Sequence, residues 1–253
     1  MKFEELIKGK ERIAMLTAYD YQMAKLLDEV GIELILVGDS LGMVFQGRPD
    51  TKKVQMREMI YHTKAVARAV KRALIVGDMP INSYRTPKSA LKNAKKFLKA
   101  GAGAIKLEGN QPKVIRALIK AGIPAMGHLG LLPQTAKKYQ LRGKIKEEAK
   151  KILKDAKELE SLGVFSLVLE CIPENLAKKI TQSLKIPTIG IGAGKYCDGQ
   201  VLVINDLLGT EESFKPKFVK RYLNLSQLIK MAVVKFKEEV KEGTFPGPEH
   251  TFH

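Results

Sequence analysis

Short apolar runs alternate along this chain with longer stretches in which apolar residues recur every three to four positions. The runs are Ile13–Leu16, Glu33–Gly38, Ala73–Gly77, Ala104–Glu108, Ile123–Gly127, Phe165–Leu169, Pro187–Ile191 and Val201–Ile204. They lack the period-two alternation of a half-exposed strand, which predicts strands buried on both faces of a parallel sheet. Between them, Met23, Leu26, Leu27 and Val30 form one helical stripe, and Ile152, Leu153, Ala156 and Leu159 another. Gly31, Gly101, Gly122 and Gly163 follow such stretches where a left-handed residue would end a helix. Pro112 suits the first turn of a helix over 112–121.

Eight strands in βα alternation predict a closed (β/α)₈ TIM barrel rather than an open sheet. One barrel domain over 1–253 is expected, with an irregular tail from Glu242. Only nine residues, 192–200, separate the last two runs, so a turn or an abbreviated helix is expected there. Leu41–Gln55 and Leu129–Ile145 are long connections at strand ends, where active-site lids occur.

The polar residues that close these runs point to function. Asp39 and Ser40 follow the second run and Asp78 the third. Lys106 and Glu108 lie within the fourth, His128 follows the fifth and Glu170 the sixth. In parallel α/β folds ligands bind at the carboxyl ends of the strands, so four acids, a lysine and a histidine there imply one convergent site.

Composition narrows the setting. A chain of 253 residues is ordinary for one barrel. No stretch of 18 apolar residues occurs, and the opening Met1-Lys2-Phe3-Glu4-Glu5 is charged, so neither a membrane span nor a secretory leader is expected. Cys171 and Cys197 lack ligand-like spacing, which fits a reducing, cytoplasmic location. The formal charge of +17 raises nucleic-acid binding as a possibility. However, Lys88, Lys92, Lys95, Lys96 and Lys99, then Lys146, Lys150, Lys154 and Lys157, recur at helical spacing without interleaved aromatics. They read as solvated helix faces whose field draws small anions; no nucleic-acid partner is expected.

Each strand-end residue also has a plainer reading. Asp39 and Asp78 could cap the following helices, but with Glu108 they make an oxygen-rich set suited to a hard cation such as Mg²⁺. Lys106 and Glu108, two apart on one strand, share a face; they are a buried ion pair or a substrate-binding lysine beside a metal-shell glutamate. Glu170 is either a helix-terminus acid before Pro173 or a general base whose desolvation raises its pKa. His128 is a substrate-orienting imidazole or a satisfied rim residue, and Gly190–Gly194 reads mainly as a turn. Together these residues suggest metal-assisted enolate formation on a small keto acid, and they do not specify the electrophile.

Several motifs resemble those of the ketopantoate hydroxymethyltransferase family. They are Met15-Leu16-Thr17-Ala18-Tyr19-Asp20, Val37-Gly38-Asp39-Ser40-Leu41-Gly42, Gly77-Asp78-Met79-Pro80 and Ile105-Lys106-Leu107-Glu108-Gly109. Gly127-His128-Leu129-Gly130-Leu131-Leu132-Pro133-Gln134, Ile191-Gly192-Ala193-Gly194 with Cys197-Asp198-Gly199-Gln200, and Phe245-Pro246-Gly247-Pro248-Glu249-His250 follow in order. The resemblance implies a barrel of the phosphoenolpyruvate/pyruvate type, assembled as a homodecamer of two pentameric rings. It implies transfer of a hydroxymethyl group from 5,10-methylenetetrahydrofolate to 3-methyl-2-oxobutanoate, giving 2-dehydropantoate on the route to pantothenate and coenzyme A. By motif position, Asp39 and Asp78 would bind Mg²⁺ and contact the keto acid, with Ser40 on its carboxylate. Lys106 would bind substrate, Glu108 would complete the metal shell through water, and Glu170 would accept the proton. The cysteine-bearing loop of a related barrel lyase and the phosphonate pocket of a mutase are not visible in the sequence.

Overall fold

The computed structural model describes residues 11–211 and 216–252; the charged opening Met1–Glu5 and the final His253 lie outside them. Eight parallel strands close on themselves in sequence order. They are β1 (Ile13–Thr17), β2 (Leu34–Val37), β3 (Leu74–Asp78), β4 (Ala104–Lys106), β5 (Ala125–Gly130), β6 (Ser166–Glu170), β7 (Thr188–Ile191) and β8 (Gly199–Leu202). Helices α1 (Tyr21–Glu29), α2 (Leu41–Val44), α3 (Met56–Ala69), α4 (Pro87–Lys99), α5 (Pro112–Lys120), α6 (Lys146–Ser161) and α7 (Glu174–Ser183) occupy the connections. Gly31, Gly101, Gly122 and Gly163 adopt positive φ after α1, α4, α5 and α6, the left-handed conformation that lets the chain reverse.

The expected strands are present, each with an end moved by a residue or more, and the shifts at β8, β5 and β4 bear on the site and the closure of the barrel. The last is Gly199–Leu202 instead of Val201–Ile204, and Ile204 opens a helix. The closing seam explains this, because Gly199 pairs with both Ile13 and Ile189, and a Cβ on it would lie 2.5 Å from the Ile13 carbonyl oxygen. Glycine therefore marks the strand start, although the apolar run begins later. β5 extends through His128 to Gly130, and β4 stops at Lys106, leaving Glu108 just beyond its end. The interval between β7 and β8 holds turns and no helix, as its length requires.

Inside the barrel, Ile13, Met15, Leu34, Leu36, Leu74, Val76, Ala104, Met126, Phe165, Val168, Ile189 and Val201 form one apolar cluster. Because strand side chains alternate, the residue two places further along each strand shares that interior face. Val76 is followed by Asp78, Ala104 by Lys106, Met126 by His128, and Val168 by Glu170. Strand periodicity thus places a polar layer directly above an apolar plug. The predicted lysine faces on α4 and α6 are mostly solvent-exposed, as amphipathic helices require.

Two compact units are distinguished, the first ending at Val203 and the second starting at Ile204. The second holds α8 (Ile204–Leu208), α9 (Leu225–Glu242) and a single 3₁₀ turn, Pro248–His250, in the otherwise irregular tail. The strand-and-stripe pattern does not single out α9. Its apolar residues Leu228, Ile229, Met231, Val233, Val234 and Phe236 all stay about half exposed or more.

Candidate active site at the strand ends

The carboxyl ends of β2 to β6 bring together Asp39, Asp78, Lys106, Glu108, His128 and Glu170. All except Glu170 are at least 95% buried, and the Glu170 side chain keeps 15% exposure. Asp78 and Lys106 are register partners on β3 and β4. Lys106 Nζ donates to both oxygens of Asp78, each at 2.7 Å. Burial alone would lower the lysine's pKa, but the carboxylates of Asp78, Glu108 and Asp39 outweigh it, so Lys106 is held charged.

Asp39 and Asp78 do not cap helices. The backbone N–H of Asp39 donates to Asp78 Oδ2 at 3.4 Å, and α2 begins without a side-chain cap. Burial first, and the neighbouring Asp78 charge second, push the Asp39 carboxyl up to about 7. Burial likewise raises Glu108 well above the ordinary glutamate range. In both, burial is the largest cause, the neighbouring carboxylates add to it, and Lys106 opposes it.

His128 lies between two glutamates: Nε2 is 3.1 Å from Glu170 Oε2 and Nδ1 is 3.7 Å from Glu108 Oε1. The Glu170 contact is close enough for an ion pair but out of line, so neither ring nitrogen makes a well-directed hydrogen bond. Burial, followed by the Lys106 charge, lowers the imidazole's pKa and favours its neutral form, even though Glu170 pulls the other way. Glu170 is not a helix cap either, since α7 starts at Glu174 after Pro173. Ser40 is oriented by Tyr19, the two hydroxyl oxygens standing 2.7 Å apart.

Two residues of the site escape a reading of the sequence. Gln134 is 1% exposed and reaches Asp39, Met79, Tyr84 and Glu108 from the β5–α6 connection. Tyr84, also buried, donates its hydroxyl to Gln134 Oε1 at 2.6 Å. Gln134 does end one of the motifs quoted above, so position alone could have flagged it; Tyr84 carried no comparable signal. Two cationic grooves are lined by residues of the connections that follow β2, β3 and β5. One, of about 630 Å³, is lined by Arg48, Lys52, Lys53 and Asn82, and another, of about 450 Å³, by Lys137, Lys138 and Arg142.

Among the described residues, no group of three or more His, Cys, Asp or Glu side chains is placed to hold a metal ion. The donor set nevertheless fits a hard divalent ion that keeps positions for water and substrate. Its Asp39, Asp78 and Glu108 side chains offer carboxylate oxygens only, and burial makes the charged forms of Asp39 and Glu108 costly without a cation beside them.

The family model described as ketopantoate hydroxymethyltransferase matches residues 1–248. A 3-methyl-2-oxobutanoate hydroxymethyltransferase of Caldicellulosiruptor saccharolyticus is 54% identical over 256 residues, covering 99% of this chain and 97% of that protein. Another, from Syntrophomonas wolfei, is 51% identical over 252 residues, covering 97% and 91%. Among solved structures, the phosphoenolpyruvate phosphomutase of Streptomyces platensis subsp. rosaceus superposes with a TM-score of 0.65 at 14% identity, covering 99% of this chain and 90% of that one. A 2,3-dimethylmalate lyase of the PEP mutase/isocitrate lyase superfamily gives 0.63 at 13%, covering 99% and 90%. At such low identity these two structures establish the barrel type and nothing about chemistry.

Proposed function

The chain belongs to the ketopantoate hydroxymethyltransferase family, and from that premise we propose how its strand-end residues carry out the transfer. The activity we assign to it is the one its relatives are named for, that of a 3-methyl-2-oxobutanoate hydroxymethyltransferase. The one-carbon donor in our reading is 5,10-methylenetetrahydrofolate, and the divalent ion is Mg²⁺, held by Asp39 and Asp78 with Glu108 acting through water. The chemistry such an ion supplies is polarisation of the keto acid's carbonyl, which acidifies the adjacent C–H.

The protein's own groups do the rest. Lys106 offers its fixed positive charge to the substrate, and Ser40, held by Tyr19, hydrogen-bonds the substrate carboxylate. Water opens the donor's methylene bridge, breaking its two C–N bonds to release tetrahydrofolate and a formaldehyde-level one-carbon unit. Glu170 removes the C3 proton, and the enolate carbon attacks that unit, whose oxygen, from the water, takes the proton back from Glu170. With uptake of one water, the products are 2-dehydropantoate and tetrahydrofolate, consistent with a place in pantothenate and coenzyme A synthesis. The two cationic grooves suit the anionic tail of a folate. We also propose a homo-oligomer, a decamer of two pentameric rings by resemblance, and a cytoplasmic setting. Among the described residues no helix is long and apolar enough to cross a membrane.

The observation that carries this reading is the single buried cluster of Asp39, Asp78, Lys106 and Glu108, with Glu170 placed at its more open edge. Exchange of the C3 proton of 3-methyl-2-oxobutanoate into heavy water tests it. Exchange should require Mg²⁺ but no folate, and net transfer should require both. Exchange that runs at full rate after the divalent ion is chelated would refute the metal assignment.

A further inference from the structure

Burying a glutamine is costly unless each polar atom of its amide finds a partner. Gln134 meets that condition across three strand ends. Its Nε2 donates to Asp39 Oδ2 at 2.8 Å and to the Met79 carbonyl oxygen at 2.9 Å. Its Oε1 accepts from the Tyr84 hydroxyl at 2.6 Å, and its backbone N–H donates to Glu108 Oε2 at 3.1 Å. The amide's orientation follows from its partners. A carbonyl oxygen only accepts, so the nitrogen must face Met79; the Tyr84 phenol, whose pKa burial raises, remains a donor.

The rest of the connection contrasts with this anchor. Lys137, Lys138, Tyr139, Gln140 and Leu141 are exposed or partly so, while Leu131 and Gln134 are buried. Gln134 therefore occupies one oxygen of Asp39 and one of Glu108, on strands that the sequence keeps far apart.

We infer that Gln134 is a positioning residue: it orients the Asp39 and Glu108 carboxylates for the divalent ion and ties that orientation to the docking of the β5–α6 connection. The inference rests on the reading that Asp39 and Glu108 serve a cation. Hydrogen-bond donors behind metal-binding carboxylates fix the direction of the remaining lone pairs, and losing one typically weakens metal affinity by about 10–100-fold. Gln134 touches no group that the reaction requires to change, so its loss should act on ion affinity and much less on turnover once the ion is saturating.

Mn²⁺ serves as the probe ion, with its free concentration followed by paramagnetic resonance, in the presence of saturating 3-methyl-2-oxobutanoate and without the folate donor. Gln134→Met, nearly isosteric but apolar, should weaken Mn²⁺ binding about 10–100-fold. The Mg²⁺ concentration for half-maximal turnover should rise in parallel, while kcat at saturating Mg²⁺ stays within a few fold. Gln134→Ala removes the amide altogether without adding charge, and it should weaken the ion at least as much. Asp39→Ala is measured alongside. If Asp39→Ala removes ion binding while both Gln134 variants keep wild-type affinity, the positioning role is wrong and the metal reading stands. If Asp39→Ala itself leaves binding unchanged, the metal reading and this inference fall together. A lower melting temperature with unchanged ion affinity would show that Gln134 is only a structural strut.

Discussion

The two sides of the strand-end cluster are bonded in opposite ways. At the ends of β2, β3 and β4, Lys106 chelates both oxygens of Asp78, and Gln134 joins Asp39 to Glu108. At the ends of β5 and β6, His128 is just as deeply buried, yet neither ring nitrogen has a well-directed hydrogen bond. Beside it, Glu170 keeps partial access to solvent. The densely bonded side is suited to holding fixed charge, because its dipoles need no rearrangement when substrate arrives. The sparsely bonded side is suited to moving a proton, because a carboxylate whose lone pairs are all committed to donors is a poor acceptor. In the proposed reaction, fixed charge and proton transfer would thus fall to neighbouring strands of one barrel.

The largest effect should come from breaking the bonded side. Asp78→Ala removes a proposed oxygen ligand and both hydrogen bonds of the Lys106 ammonium, whose charge Glu108 and Asp39 still balance. Turnover should be nearly abolished, with circular dichroism still reporting a folded barrel at moderate temperature. Near-normal turnover at saturating Mg²⁺ would show that Asp78 has no part in the metal site.

Changing the sparse side should leave binding intact. Glu170→Gln keeps shape and reach but cannot take up the proton, so C3 exchange should fall about 10²–10⁴-fold. Keto-acid affinity, measured by calorimetry with Mg²⁺ present, should hardly change. Persistent exchange with failed transfer would move Glu170 from proton removal to donor chemistry.

A smaller effect concerns pH and the bonded side alone. Burial and the Asp78 charge push the Asp39 carboxyl up to about 7 in the folded metal-free protein, against 3.8 for an ordinary aspartate such as the unfolded chain presents. Between those values the native state holds a proton that the unfolded chain has released. Stability of the metal-free protein should therefore fall as pH rises from about 4 to 7, by up to about 1.4 kcal/mol per pH unit from this group. Denaturant midpoints measured at pH 5 and pH 7 check the sign, and Asp39→Asn should flatten the difference. An unchanged slope in that variant would assign the effect to other groups.

The sequence alone determined the barrel and the identity of the polar layer. Eight apolar runs separated by helical stripes leave little choice of architecture. A period of two also dictates that Asp78, Lys106, His128 and Glu170 continue the interior face of their strands. What it left open were the partners. The sequence allowed a Lys106–Glu108 pair, and the structure instead turns Lys106 to Asp78 across the strand register. It left His128 between two readings, and only packing shows an imidazole lodged between Glu108 and Glu170. Gln134 and Asp39 are 95 positions apart, and no local pattern links them. Periodicity is a property of the backbone and can be read along the chain. Hydrogen-bond satisfaction is a condition on neighbours in space, and only the closed barrel decides which side chains those are.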